Sequence, residues 1–366
     1  MSKNILPLAK QLISIPSTAD NYYEILRIFN RVEKYFAHEK VLIKKYNFSQ
    51  NKKPSLLITL QKTLRPRILL YAHLDVVPAD KSQFIPKVRS EKLFGRGAAD
   101  MKSAAAVYIE LIKYFSKKNV TPSLGLILTS DEEIGGREGA GYLVKKRNIR
   151  SDVVIMADGG KNFEEIQNKN KGICRVHLEA TGRSGHGAAP WSGENAIDLL
   201  IDAYKKIQKI FSASTKKQPW KTSCGIGIIH GGHTANMIPD KAEADLDIRY
   251  TETDSVKEIL RKIQMAAPEL NVTLKYSCPL SVTRDKDPYL QSYISLTKDI
   301  IGSVPKLISG MGANDGRYFT PLGIPVIISR PTSGGAHTDC EWVHIHALSK
   351  YYILLKRFIE IHGFSR

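Results

Sequence analysis

Three consecutive carboxylates, Asp131-Glu132-Glu133, follow the apolar run 124–128 and precede Ile134-Gly135-Gly136. Like charges this close repel, so bulk water or a cation must compensate them. Two readings fit: a solvated acidic turn, or a metal ligand standing beside a general base. Three other places carry residues that could join such chemistry. One is His73-Leu74-Asp75, where His73 is either structural or a ligand whose second ring N–H is taken up by the nearby acid. Another is Gly95-Arg96-Gly97-Ala98-Ala99-Asp100-Met101-Lys102, where Asp100 is either a helix N-cap or a ligand on a loop whose glycines permit close backbone approach. The third is Asp158, in Ala157-Asp158-Gly159-Gly160.

The elements that must position these residues follow from hydrophobic periodicity. Continuous apolar runs at 68–72, 124–128 and 153–156 read as buried parallel strands. His73 ends the first, the acidic run follows the second, and Asp158 follows the third. Helical patterns lie at 101–115 and 140–146, and further strands at 41–46 and 56–60. An amphipathic helix over 21–38 repeats Tyr22, Ile25, Leu26, Phe29, Val32 and Phe36. Strands alternating with helices imply crossover units and a mostly parallel sheet flanked by helices. In open α/β sheets, sites form at the carboxyl ends of the strands, where all three candidate groups fall.

From about residue 172 the pattern changes. The order strand (173–181), helix (195–211), strand (224–229), strand (242–250), helix (256–267), strand (272–276) is a ferredoxin-like α+β arrangement. Ala242, Ala244, Leu246, Ile248 and Tyr250 alternate with Glu243, Asp245, Asp247 and Arg249, as in a strand with one buried face. A helix (290–301), a strand (324–328) and a final helix (347–361) return to the first pattern. The expected division is an α/β catalytic domain of residues 1–171 and 285–366, interrupted by a smaller lid or dimerisation domain of residues 172–284.

At 366 residues, 42% hydrophobic and 25% charged, the chain has the composition of a soluble globular protein. The segment from Met1 to Ile13 carries Lys3 and Lys10 among apolar residues at helical spacing and does not read as a signal peptide. No apolar run approaches the length of a membrane span. Cys174, Cys224, Cys278 and Cys340 are widely spaced without a Cys-x-x-Cys pair, which fits a reducing cytoplasm. The net charge of +18 is Lys-dominated and scattered, without the aromatic or glycine interleaving of a nucleic-acid surface. It reads as a solvated surface with weak steering of anions.

Taken together, the His73, Asp100 and Asp131-Glu132-Glu133 motifs resemble the dinuclear-zinc exopeptidase and amidohydrolase family. That family includes aminoacylases, succinyl-diaminopimelate desuccinylase, acetylornithine deacetylase and carboxypeptidase G. The likeness continues in order through Ser184-Gly185-His186, Gly193-Glu194-Asn195-Ala196-Ile197, Asn236-Met237-Ile238-Pro239, Asp315-Gly316-Arg317-Tyr318-Phe319 and His337. The resemblance implies two divalent metal ions, zinc with cobalt or manganese as substitutes. Asp100 would bridge them, His73 and Asp158 would complete one, and Glu133 and His337 the other. Some members carry Glu where this chain has Asp158. Asp75 would support His73, and Glu132 would be the general base acting on a metal-bridging water. His186 would donate to the oxyanion, from its own or a partner subunit, although alone it reads as a loop histidine. Asn236, Arg249 and Gly312 would bind substrate, Arg249 having a salt bridge to Asp245 or Asp247 as its alternative. Ala313 falls where desuccinylases and many relatives carry Thr, which weakens a claim to their substrate. Cys340 is assigned to packing.

The function expected is hydrolysis of an amide bond beside a free carboxylate, in an N-acyl amino acid or dipeptide, by a cytoplasmic homodimer joined through the inserted domain. Desuccinylase or acetylornithine deacetylase activity is the alternative within the family. A catalytically silent metal-binding scaffold is the non-enzyme alternative, but no ligand or base of the pattern is missing. Neither nucleic acid nor membrane is an expected partner.

Overall fold

A computed structural model describes residues 4–49, 52–211 and 214–364; Met1 and Lys3, which enter the reading of the N-terminal segment, lie outside the described residues. The chain forms two compact units. The larger comprises Met1–Lys169, Ser281–Gly310 and Asn314–Arg366, and the smaller Asn170–Leu280 with Met311–Ala313. Gly312 therefore groups with the smaller unit although it lies far along the chain from it, and Asn170 Nδ2 donates to its carbonyl at 2.7 Å.

A nine-stranded sheet organises the larger unit. Its main path runs Leu42–Tyr46, Ser55–Thr59, Leu124–Thr129, Ile68–His73, Val153–Met156, Val326–Ile328, Glu165–Asn170, Ser281–Val282, and Lys306–Gly310 pairs with Glu165–Asn170 off that path. Ile68–His73 pairs in parallel with Leu124–Thr129 on one side and Val153–Met156 on the other, and Val326–Ile328 continues the parallel run. Antiparallel strands flank this centre, because Ser55–Thr59 pairs antiparallel with Leu124–Thr129 and Val326–Ile328 meets Glu165–Asn170 antiparallel.

The unbroken apolar runs have a direct cause. Successive side chains of a strand point to opposite faces, and both faces here are covered. Ile68, Leu70 and Ala72 join the core beneath the helices Ile5–Ile13, Lys102–Ser116 and Ile345–His362. Leu69 and Tyr71 join the opposite core with Leu143, Val144 and Phe319. Each fully buried Leu or Ile contributes about 1.5–3 kcal/mol.

Several short strands carry no such signature and escape sequence reading. Lys87–Arg89, Lys92–Phe94, Trp342–His344 and Ser333–Gly334 form a small four-stranded sheet. Glu165–Asn170 is mostly polar, and it buries Gln167 and Asn168 where an apolar residue is the usual occupant.

In the smaller unit the strand order is Ser223–Gly231, Lys241–Tyr250, Gly172–Thr181, Asn271–Cys278, antiparallel throughout. Helices Ala196–Ile210 and Val256–Ala266 share one core with the alternating residues Ala242, Ala244, Leu246 and Ile248. Both helices are capped as their sequences dictate: Asn195 accepts from the Ile197 N–H, and Ser255 accepts from the Glu258 N–H. Among the described residues no helix is long and apolar enough to cross a membrane. All four cysteines are free thiols. Cys340 is exposed, which corrects its assignment to packing: it sits in an open loop rather than a core.

Candidate metal centre

The parallel pairing sets the site. His73 lies in register with Thr129 of the neighbouring strand, and Tyr71 with Met156 on the other side. The chain segments leaving those two neighbours carry Glu132 with Glu133, and Asp158, to the same end of the sheet. One ligating atom from each of His73, Asp100 and Glu133 falls within 4.8 Å of the others, and the same holds for His73, Glu132 and Asp158. His337 completes the cluster, its Nε2 lying 3.2 Å from Glu133 Oε1 and 3.4 Å from Asp100 Oδ2. Six residues from five segments thus converge at the carboxyl edge of the sheet.

His73 is buried, with Nε2 3.1 Å from Asp100 Oδ1. Its other ring nitrogen, Nδ1, lies 3.0 Å from the Asp75 backbone carbonyl and 3.6 Å from that residue's carboxylate. The carbonyl therefore fixes the tautomer, with the proton on Nδ1 and a lone pair on Nε2 facing the cluster. The Asp75 carboxylate has a second task, accepting the Glu133 N–H at 3.0 Å.

Glu132 and Glu133 lie in one 3-10 turn, Glu132–Ile134. Asp131, just before it, is buried, and its carboxylate accepts the Glu138 and Gly139 N–H groups at 2.9 and 3.0 Å. It staples the loop that the two glutamates open. Asp315 and Arg317 brace the same loop from a distant segment. Arg317 Nη2 donates to the Gly135 carbonyl at 2.7 Å and to Asp315 Oδ1 at 3.2 Å, and Tyr318 donates to the same carbonyl. Tyr71 donates to the other oxygen of Asp315. His337 holds a left-handed backbone, φ +64°, uncommon for a residue with a side chain and found where the surroundings impose it.

Four carboxylates against two imidazoles make this cluster seek positive charge. Burial pushes the Glu132 carboxyl well above its ordinary range, and Asp158 and Asp315 add to the rise. Glu132 keeps some solvent contact as a residue, yet its carboxyl end is enclosed by these acids, and that enclosure sets the direction. Asp158 is pushed up to about 7, by burial first and then by Asp100. His337 rises to about 10 on its hydrogen bonds to Asp100 and Glu133. For His73 burial opposes the charge, but the nearby Asp100 and Asp75 carboxylates outweigh it and the net direction is upward. Asp100 also resists burial, and the two histidines hold it well below the usual carboxylate range. Asp158 Oδ2 is buried without a hydrogen-bond partner among the described residues. Oxygen and imidazole donors of this kind, one of them unsatisfied, fit divalent metal ions.

The remaining candidates lie in the smaller unit. His186 is exposed and pairs with Met237 in a two-stranded ladder, which places it beside Asn236 in the chain next to its partner strand. Its Nδ1 accepts the Ala188 N–H at 3.1 Å, leaving the proton of the neutral ring on Nε2. Arg249 donates through Nε to Asp247 at 2.8 Å, the ion pair that the sequence left open as its alternative. Sequence reasoning missed Glu341, which is buried and accepts four hydrogen bonds from the segment 96–100. Its signal was slight: an acid four residues after His337, in a chain with many acids.

Comparison with known proteins covers most of the chain. Residues 69–361 match peptidase family M20/M25/M40. A succinyl-diaminopimelate desuccinylase of Thioalkalivibrio sulfidiphilus is 26% identical over 80% of this chain and 84% of its own length. Another, from Stenotrophomonas maltophilia, is 28% identical over 81% and 84%. Among solved structures, aminopeptidase PepT of Bacillus cereus superposes with a TM-score of 0.81 at 19% identity, over 98% of both chains. An M20 family metallo-carboxypeptidase of Sulfolobus solfataricus superposes at 0.72 and 18%, over 99% of this chain and all of its own.

Proposed function

Because the chain belongs to peptidase family M20/M25/M40, and so is a hydrolase of amide bonds, we propose that it cleaves an N-acyl amino acid or a dipeptide beside a free carboxylate, with two divalent metal ions as cofactors. The observation that carries this reading is the convergence of His73, Asp100, Glu132, Glu133, Asp158 and His337 at one edge of the sheet. Asp100 would bridge the ions, with His73 and Asp158 on one and Glu133 and His337 on the other; zinc is the assigned metal. Such ions polarise an amide carbonyl and lower the pKa of water.

Glu132 is the proton carrier. Its carboxylate takes a proton as water attacks the amide carbon, holds it, and delivers it to the departing amine nitrogen. Burial raises its pKa, which makes the carboxylate a stronger base toward the attacking water. Glu133 faces His337 instead, its Oε1 lying 3.2 Å from His337 Nε2, while its backbone N–H donates to the Asp75 carboxylate. His186, with its proton on Nε2, donates to the developing oxyanion. Asn236 and Arg249 hold the substrate carboxylate, a guanidinium being suited to bidentate pairing, and the Gly312 backbone makes a further substrate contact.

The homodimer assigned to the smaller unit draws support from Ser223–Gly231, an edge strand whose Ile228 and Ile229 are about half exposed. A cytoplasmic location is consistent with four free cysteines. Desuccinylase activity is the second reading, favoured by the names of the curated relatives; Ala313, without a hydroxyl in the substrate loop, weighs against it.

A substrate panel tests the proposal. N-acetyl amino acids, N-succinyl amino acids and dipeptides are offered with zinc, cobalt or manganese, each beside its C-terminal methylamide. Release of amine from the free acids and not from the methylamides is expected. Equal cleavage of both forms would remove the carboxylate requirement.

A further inference from the structure

Glu341 has a place in the site that the proposed mechanism does not use. Its side chain is almost completely buried. Oε2 accepts from Arg96 Nη1 at 2.7 Å and from the Gly97 N–H at 3.0 Å. Oε1 accepts from the Ala99 N–H at 2.8 Å and from the Asp100 N–H at 2.9 Å. The Glu341 backbone carbonyl accepts the Gly95 N–H at 3.1 Å. One residue thus satisfies nearly the whole loop that delivers Asp100 to the cluster.

A buried carboxylate is costly unless it is paired and fully hydrogen-bonded, and simple closure of the loop does not require one. Strand Trp342–His344 already pairs with Lys92–Phe94 and ties the two segments together. What the carboxylate adds is position. It holds the backbone amide of Asp100, whose two oxygens reach His73 and His337. It also follows His337 by four residues, so it joins the loop of one ligand to the loop of another. We propose that Glu341, paired with Arg96, is a positioning residue that sets Asp100 and His337 at the separation divalent-metal binding requires. The proposal rests on the reading that these two residues are metal ligands.

Glutamine in this place cannot reproduce the arrangement. Each carboxylate oxygen receives two donors, and an amide has one oxygen. Either orientation of the amide therefore sets its NH2 against two N–H groups. Glu341→Asp keeps the charge and both oxygens but falls one methylene short.

The test uses the full-length protein stripped with a chelator and titrated calorimetrically with Co2+, while thermal melting of the stripped proteins reports folding. Wild type is expected to take up two equivalents. Glu341→Gln is expected to lose about 10–100-fold in affinity for at least one of them, the scale seen when groups that orient ligands are removed, and Glu341→Asp to lose less. A purely structural role would lower the melting temperature of the stripped variant and leave its metal affinity unchanged. Wild-type affinity for two Co2+ in a folded Glu341→Gln overturns the proposal. If that variant does not fold, Glu341→Asp decides, with wild-type affinity again overturning it. Wild type that takes up fewer than two equivalents overturns the ligand reading itself, and the proposal with it.

Discussion

Glu132→Gln is expected to lower kcat by about 10²–10⁴-fold, the range of a lost general acid–base group, with metal content unchanged. Glutamine has the shape of glutamate but cannot accept a proton and carry it to the leaving nitrogen. The turn that presents the side chain should survive, since its bonds are made by other groups. The Gly135 N–H donates to the Glu132 backbone carbonyl at 2.8 Å, Asp131 holds Glu138 and Gly139, and Arg317 holds Gly135. Steady-state kinetics beside elemental analysis of the purified variant make the check. Wild-type turnover with two bound metals would sink the role given to Glu132, and a loss of metal would show it to be a ligand.

The adjacent residue should behave in the opposite way. Glu133→Ala is expected to lose metal first, by more than the 10–100-fold typical of groups that only orient a ligand, and turnover as a consequence. Glu133 Oε1 is the closest carboxylate contact of His337 Nε2, so its removal leaves that histidine only Asp100 at the cluster. The backbone bond from Glu133 to Asp75 does not involve the side chain and should remain. Added metal in excess should restore part of the activity of Glu133→Ala and none to Glu132→Gln. A Glu133→Ala protein with full occupancy and normal affinity would contradict the division of labour between the two acids.

The division itself was implied by the family resemblance, whereas the places of these acids were legible in the sequence because the governing physics is local. Strands buried on both faces read as unbroken apolar runs, so the ends of Ile68–His73, Leu124–Thr129 and Val153–Met156 were visible, and with them the positions of His73, Glu132, Glu133 and Asp158. Asp100 and His337 were harder, because loops have no periodicity, and they rested on the family resemblance. What the sequence concealed were the long-range polar bonds. The Asp75 carboxylate reads as the partner of His73, yet it spends its hydrogen bond on the Glu133 backbone and leaves His73 to a carbonyl. Arg317 reaches Gly135 across 182 positions, and Glu341 reaches the Asp100 loop across more than 240. Such contacts follow from tertiary packing and leave no trace in the spacing of either partner. The small sheet that brings Trp342–His344 beside Lys92–Phe94 was invisible for a related reason: its strands are three residues or fewer, too short to show a period, and one of them, Lys87–Arg89, is exposed throughout.

Reactivation of the stripped enzyme tests the central claim most directly. Chelator-treated protein is titrated with Zn2+ or Co2+, and amine release from the best substrate of the panel is followed at each addition. A dinuclear centre built by His73, Asp100, Glu133, Asp158 and His337 gives no activity at the start and a rise that saturates at two equivalents per chain. Full activity in the stripped protein, or saturation at one equivalent, would contradict it.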